Sequence, residues 1–120
     1  MNMGSLPALT VGQAWGVLAV AIGFEVAGTT CMRLSEGFSR WLPSLLIFVF
    51  YAASFALNTL VIRTLGLSVV YAVWSGVGTV LTAGIGFLYF KEPATALKLT
   101  CIGLIVIGVW GLHAASRTGP

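Results

Sequence analysis

The chain has 120 residues, of which 58% are hydrophobic and 8% charged, with a formal net charge of +3. A soluble domain spends roughly 25% of its residues on charge to cover its surface, so this composition excludes an ordinary soluble globular protein and calls for a bilayer. The positive charge is scattered over short loops instead of gathered in a stripe, which excludes nucleic-acid binding and fits anchoring at a membrane surface.

The apolar pattern then breaks into four runs. Residues 1–10 form a short polar tail with Pro7 and no Lys or Arg. The first run covers about 11–32 and is followed by a loop holding Arg33, Glu36, Gly37 and Arg40. The second covers about 42–62, with Pro43 where a first helical turn tolerates it. A tight connection with Gly66 leads to the third run, about 68–90, which Lys91, Glu92 and Pro93 end. The fourth covers about 96–115, and residues 117–120 are a polar tail. Each run is close to the ~20 residues that cross the hydrocarbon as a helix. Barrel strands would be about half as long and would alternate in polarity. The spacing therefore predicts an all-α integral membrane protein, with four transmembrane helices in one domain over residues 11–116. The first run is too long for a signal-peptide core and has no basic segment before it, so it is expected to stay as a span.

One residue in the first run stands out. Glu25 lies near the middle of an apolar stretch with no positive residue within a helical turn, whereas Glu36 and Glu92 sit beside breaks that water reaches. A charge in hydrocarbon costs several kcal/mol unless it is paired, protonated or facing a wet cavity. At helical spacing Glu25 shares a face with Leu18, Ala21, Ile22, Gly28, Thr29 and Met32. On the second run Tyr51, Ser54 and Asn58 fall on one face, with Phe48 and Phe55 alongside. On the third, Tyr71, Trp74, Ser75, Gly78 and Thr82 form a similar stripe. Tyr and Trp also serve as interfacial anchors, and Ser and Thr back-bond to their own helices. For Thr29, Ser54 and Thr82 the two readings stand side by side. Tyr51, Tyr71 and Trp74 lie a turn or more inside the run ends, which favours function. Aromatic faces around a carboxylate are what a hydrophobic organic cation needs: stacking area, cation–π attraction and one counter-charge.

The fourth run carries only Thr100 and His113 as polar residues, both near its ends. Its face of Cys101, Leu104, Ile105 and Gly108 puts small residues where another helix approaches closely, in its own subunit or in a second one. Cys31 and Cys101 both fall inside spans with no ligand pattern around them, so neither a disulfide, a metal site nor a cofactor is expected. No nucleophile–base pair points to an enzyme.

Four spans put both tails and the middle loop on one side, with Arg63 and Arg117, against Arg33, Arg40, Lys91 and Lys98 on the other. That bias is weak, and a weak bias permits insertion in both orientations. Four short helices scarcely enclose a gated pathway, which transporters usually build from two inverted repeats. No internal repeat is visible, so a second subunit is required: an antiparallel copy of this chain, or a paired and different subunit.

The stretch from Glu25 through Val26, Ala27, Gly28, Thr29, Thr30, Cys31, Met32 and Arg33, then residues 34–40 and Pro43-Ser44, resembles the small multidrug resistance (SMR) transporters. So does Tyr71-Ala72-Val73-Trp74-Ser75-Gly76-Val77-Gly78. The resemblance covers the chain after its first ten residues or so. It implies a proton-coupled antiporter of the drug/metabolite transporter superfamily, multi-pass in the cell membrane and working as an antiparallel, dual-topology dimer. By resemblance Glu25 binds protons and substrate, and Tyr51, Tyr71 and Trp74 contact substrate with Ser54, Thr29 and Ser75 as neighbours. Gly76 and Gly78 would form a hinge, and Cys101, Leu104, Ile105 and Gly108 the dimer interface, with Cys101 in place of the family's first glycine. Gly28 and Ser75 match the quaternary-ammonium branch. Phe24 and residues 91–96 look more like the guanidinium exporters, while Gly66 and Asn58 are similar to paired, polyamine-type subunits. The reading favoured is export of hydrophobic and quaternary ammonium cations, against a guanidinium exporter or one half of a polyamine exporter. From a different class, a pore-forming or assembly subunit of the membrane is the competitor.

Overall fold

The computed structural model describes residues 8–118, with side chains as far as residue 115; residues 1–7 and 119–120, assigned above to the tails, lie outside the described residues. It contains four helices, α1 (Val11–Leu34), α2 (Trp41–Leu65), α3 (Leu67–Leu88) and α4 (Ala96–Thr118). All four are long and apolar enough to cross a membrane, and no strand occurs among the described residues. The protein is a multi-pass membrane protein of four helices.

Local chemistry sets the helix ends. Thr10 caps α1 reciprocally with Gln13: the Gln13 amide donates to Thr10 Oγ1 at 3.2 Å, and the Thr10 amide to Gln13 Oε1 at 3.0 Å. This is the Thr-x-x-Gln form of the capping box, legible in the sequence but not used above. α1 runs two residues beyond the expected end, so Arg33 sits in its last turn, where a cation complements the helix dipole. Arg63 does the same in α2, which shrinks the expected five-residue connection to one residue, Gly66. Gly66 has φ 88° and ψ 157°, a conformation essentially restricted to glycine. α3 ends at Leu88, short of the expected Phe90: the Phe90 amide turns back to the Ile85 carbonyl, which already accepts from Tyr89, and the Gly86 carbonyl accepts from the Glu92 amide.

Packing centres on α1. Ala14, Leu18, Ile22 and Val26 recur every fourth residue and are buried against Val61 of α2 and Val70 of α3. Lipid is as apolar as these side chains, so close fit and interhelical hydrogen bonds hold the helices more than water exclusion does. One such bond is Ser54 Oγ donating to the Ala21 carbonyl at 2.7 Å, with Ser54 fully buried. The Arg33 guanidinium lies 5.0 Å from the Phe90 ring centre, tying the end of α1 to the turn after α3.

α4 is the outlier. Its backbone approaches that of α3 only, and no described residue of it is buried, although His113 meets Trp15 of α1 edge-on at 5.6 Å. The molecule measures 43 × 39 × 17 Å. Packed helix axes lie about 8–10 Å apart, so the short dimension holds two layers of helices, with the α4 backbone set against α3 alone.

The α3–α4 contact depends on Gly76, where a Cβ would fall 2.5 Å from Val109 Cγ2. Alanine is the better helix former by about 1 kcal/mol, so helix propensity alone favours Gly76→Ala. The clash decides otherwise: Gly76→Ala is expected to lower the melting temperature in detergent, and Gly76→Ala with Val109→Ala to recover most of it. An additive double mutant would show that the two residues do not meet.

Candidate functional site

Glu25 continues the buried stripe of α1 one turn past Ala21, so the same periodicity that packs α1 also turns its carboxylate toward α3. It comes up against Gly78 there: a Cβ at that position would stand in contact with Glu25 Oε2, at 3.4 Å. The other carboxylate oxygen is held on its own helix, where Thr29 Oγ1 donates to Glu25 Oε1 at 3.0 Å. Thr29 Oγ1 also lies 2.6 Å from Tyr51 Oη. A threonine hydroxyl has one proton, and here it goes to Glu25, so Tyr51 is the donor to Thr29. Met32 Sδ, 3.9 Å from Tyr51 Oη, is the weaker alternative acceptor for the same proton. The result is a chain of donors, Tyr51 to Thr29 to Glu25, that leaves Oε2 as the oxygen open to other partners.

Gly28 allows this relay. A Cβ there would sit 3.1 Å from the Tyr51 ring, so even a methyl group would make the ring give way by a few tenths of an ångström, beside its bond to Thr29. From Tyr51 a row of rings crosses to α3: Tyr51 to Phe55 at 5.9 Å, Phe55 to Trp74 at 5.8 Å and Trp74 to Tyr71 at 5.8 Å. The last two contacts are edge-to-face, the arrangement aromatic quadrupoles prefer.

A cavity of about 540 Å³ opens in front of these groups. Of the residues expected from sequence, Glu25, Thr29, Tyr71, Trp74, Ser75, Gly78 and Thr82 line it. Tyr51 reaches the cavity only through its bond to Thr29. Ser54 is not part of the lining; its hydroxyl is spent on the Ala21 carbonyl, so it joins α1 to α2. Gly76 and Gly78 lie within the continuous helix α3; Val109 leaves no room for a side chain at Gly76, whereas a Cβ at Gly78 would only touch Glu25. The stripe Cys101, Leu104, Ile105 and Gly108 is exposed on α4.

Sequence reasoning missed Glu92, which also lines the cavity. The Glu92 amide donates to the Gly86 carbonyl at 2.9 Å, and the carboxylate folds over Gly86, where a Cβ would collide with it. Only the tight turn with Lys91 at φ 60° brings this loop residue back onto α3. Nothing in the local sequence pattern announces that return. No group of His, Cys, Asp or Glu residues among those described has the makings of a metal site. Chemically, then, the cavity offers a carboxylate at mid-span, a second one at its end, and aromatic walls between hydroxyl groups.

Residues 13–105 match the family model described as Small Multidrug Resistance protein. The chain is 48% identical over 99 residues to the uncharacterized membrane protein YvaE of Bacillus subtilis, covering 82% of this chain and 83% of that protein. It is 45% identical over 97 residues to the multidrug resistance protein EbrB of Bacillus licheniformis, covering 81% and 82%. It is 35% identical over 105 residues to the quaternary ammonium compound-resistance protein QacE of Escherichia coli, covering 88% and 96%. A family match over most of the chain, with relatives of 35–48% identity covering four fifths of it or more, shows that the chain belongs to the small multidrug resistance family of membrane transporters.

Proposed function

We propose that this protein is a proton-coupled antiporter that exports hydrophobic and quaternary ammonium cations across the cell membrane. The observation that carries the reading is Glu25 in one cavity with Trp74 and Tyr71. With Oε1 engaged by Thr29, Oε2 is the oxygen that takes either a proton or the positive charge of a substrate. The two occupants compete, and that competition is the coupling: export of a cation requires that a proton leave the same group. Gly76 and Gly78 would supply the flexing that moves the site from one membrane face to the other. The name of QacE, a quaternary ammonium compound-resistance protein, favours the same substrate class. Side-by-side uptake of tetraphenylphosphonium, guanidinium and spermidine into proteoliposomes under a pH gradient tests it. Guanidinium or spermidine uptake without tetraphenylphosphonium uptake would displace this substrate assignment.

The working unit in this reading is an antiparallel homodimer. Its support is the open cavity in front of Glu25 and the exposed stripe of Cys101, Leu104, Ile105 and Gly108. In a background lacking Cys31 and Cys101, single cysteines in the N-terminal tail and in the loop at residues 35–40 should each be labelled from both sides of the membrane. Labelling of each site from a single side, or transport only with a co-expressed relative, would replace the homodimer by a paired complex.

A further inference from the structure

Glu92 lines the same cavity as Glu25, and its carboxylate has no hydrogen-bond or ion-pair partner among the described residues. Three cations lie near it in the chain or the fold, and none is turned to it. Lys98 Nζ donates to the Pro93 carbonyl at 2.9 Å, the Arg33 guanidinium lies over the Phe90 ring, and Lys91 forms no ion pair with a described residue. An exposed loop carboxylate is ordinarily left to water, and Glu92 is exposed. Its placement is not that of an ordinary loop residue. The turn through Lys91 folds it back, and the carboxylate rests on α3 against Gly86.

That contact puts Glu92 in register with Glu25. Gly78, Thr82 and Gly86 recur every fourth residue and so form one stripe along α3. Glu25 Oε2 meets the stripe at Gly78 and the Glu92 carboxylate meets it at Gly86, while Thr82 and Ala83 line the cavity between them. At ~1.5 Å of rise per residue the two glycines lie on the order of 12 Å apart along the helix axis. The cavity wall thus carries an acidic group at each end, and a continuous helix fixes their separation. A singly charged substrate uses one of these groups. A second positive group at the right distance from the first meets the other.

Building on the proposed cation site at Glu25, we propose that Glu92 is the second counter-charge for elongated dications, and that the two carboxylates select bis-ammonium compounds by the length of the chain between their charges. Such a molecule lies along the α3 stripe, with one charge at Glu25, its chain against Thr82 and Ala83, and its other charge at Glu92. A decane chain between two ammonium groups spans that separation, and a butane chain falls short of it. Water reaches Glu92, so its contribution is that of an exposed ion pair and is weakened by salt. Glu25 supplies the affinity common to all cations, and Glu92 the discrimination by length.

Three compounds provide the test: 1,10-bis(trimethylammonium)decane, its singly charged counterpart decyltrimethylammonium, and 1,4-bis(trimethylammonium)butane. Each is titrated against bound tetraphenylphosphonium on the purified protein at pH 7 and low salt, in wild type and Glu92→Gln. Glutamine keeps the side-chain shape, and the backbone bond from residue 92 to the Gly86 carbonyl does not depend on the charge. Glu92→Gln is expected to weaken the decane dication about fivefold, the upper end for an exposed ion pair, and the other two compounds by less than about twofold. An equal loss for all three, as misfolding would give, overturns the proposal. So does an unchanged decane dication, or a butane dication as sensitive as the decane one. A second readout needs no variant: in wild type the advantage of the decane dication over decyltrimethylammonium should shrink as salt is raised, and an advantage that salt leaves intact would also overturn it. Failure of the Glu25 reading looks different, since tetraphenylphosphonium would then bind equally well to wild type and Glu25→Gln.

Discussion

Glu25→Gln is expected to abolish proton-coupled export while leaving insertion and folding intact. Glutamine has nearly the same shape, and its amide oxygen can still accept from Thr29 Oγ1 in place of Oε1, so the relay from Tyr51 survives. What disappears is the exchangeable proton and the counter-charge at Oε2, beside Gly78. Moving an organic cation to mid-span without a counter-charge costs several kcal/mol, and ~1.4 kcal/mol is already tenfold in affinity. Tetraphenylphosphonium binding and pH-gradient-driven uptake should both fall below detection, with far-ultraviolet circular dichroism and detergent elution unchanged. Undiminished uptake in the variant would reject the assignment of Glu25. The same variant separates the competing class, because a pore former has no use for this carboxylate and its leak would persist. Glu92→Gln, at the end of the cavity, should be the milder change, since that carboxylate sits in the loop turn and not at mid-span.

The second large effect concerns selectivity. Trp74→Ala should weaken tetraphenylphosphonium binding about tenfold or more, or ~1.4 kcal/mol, because desolvated cation–π contacts reach ~2 kcal/mol. Trp74 is the hub of the ring row, edge-to-face with both Phe55 and Tyr71, so its loss also frees those two rings from their relative orientation. No hydrogen bond from Trp74 supports Glu25; that support comes from Thr29. Proton binding at Glu25 should therefore persist in Trp74→Ala, and a proton-release titration separates the two functions. Guanidinium is small and strongly hydrated, gains little from an aromatic wall and is expected to be a poor substrate. A wild type that carried guanidinium well and tetraphenylphosphonium hardly at all would assign the chain to the other branch, with the fold and Glu25 unaffected.

Helical periodicity made much of the candidate site legible in advance. Residues on one face of one helix stay on one face whatever that helix packs against, which is why Glu25 with Thr29, and Tyr71 with Trp74, Ser75, Gly78 and Thr82, are found lining one cavity. Residues that serve between helices were harder to read. Ser54 and Tyr51 share a face with Asn58, yet Ser54 bonds across to Ala21, Tyr51 reaches Thr29, and Asn58 Oδ1 has no partner. Spacing along α2 is silent on which neighbouring atom each one meets. Glu92 shows the same limit at a loop: only the turn back to Gly86 carries it into the cavity.

The sequence by itself determined the solvent, the number of spans and the depth of the carboxylate. Those follow from hydrophobic run length and from the cost of bare charge in hydrocarbon, both local properties of the chain. Tertiary structure alone decided the roles of the glycines, because a missing side chain has meaning only through what fills its place. Gly28 receives the Tyr51 ring, Gly76 the Val109 side chain and Gly86 the Glu92 carboxylate. Each of these contacts joins residues on different elements, and their meeting depends on the relative placement of whole helices and turns, which no periodicity within a single helix encodes.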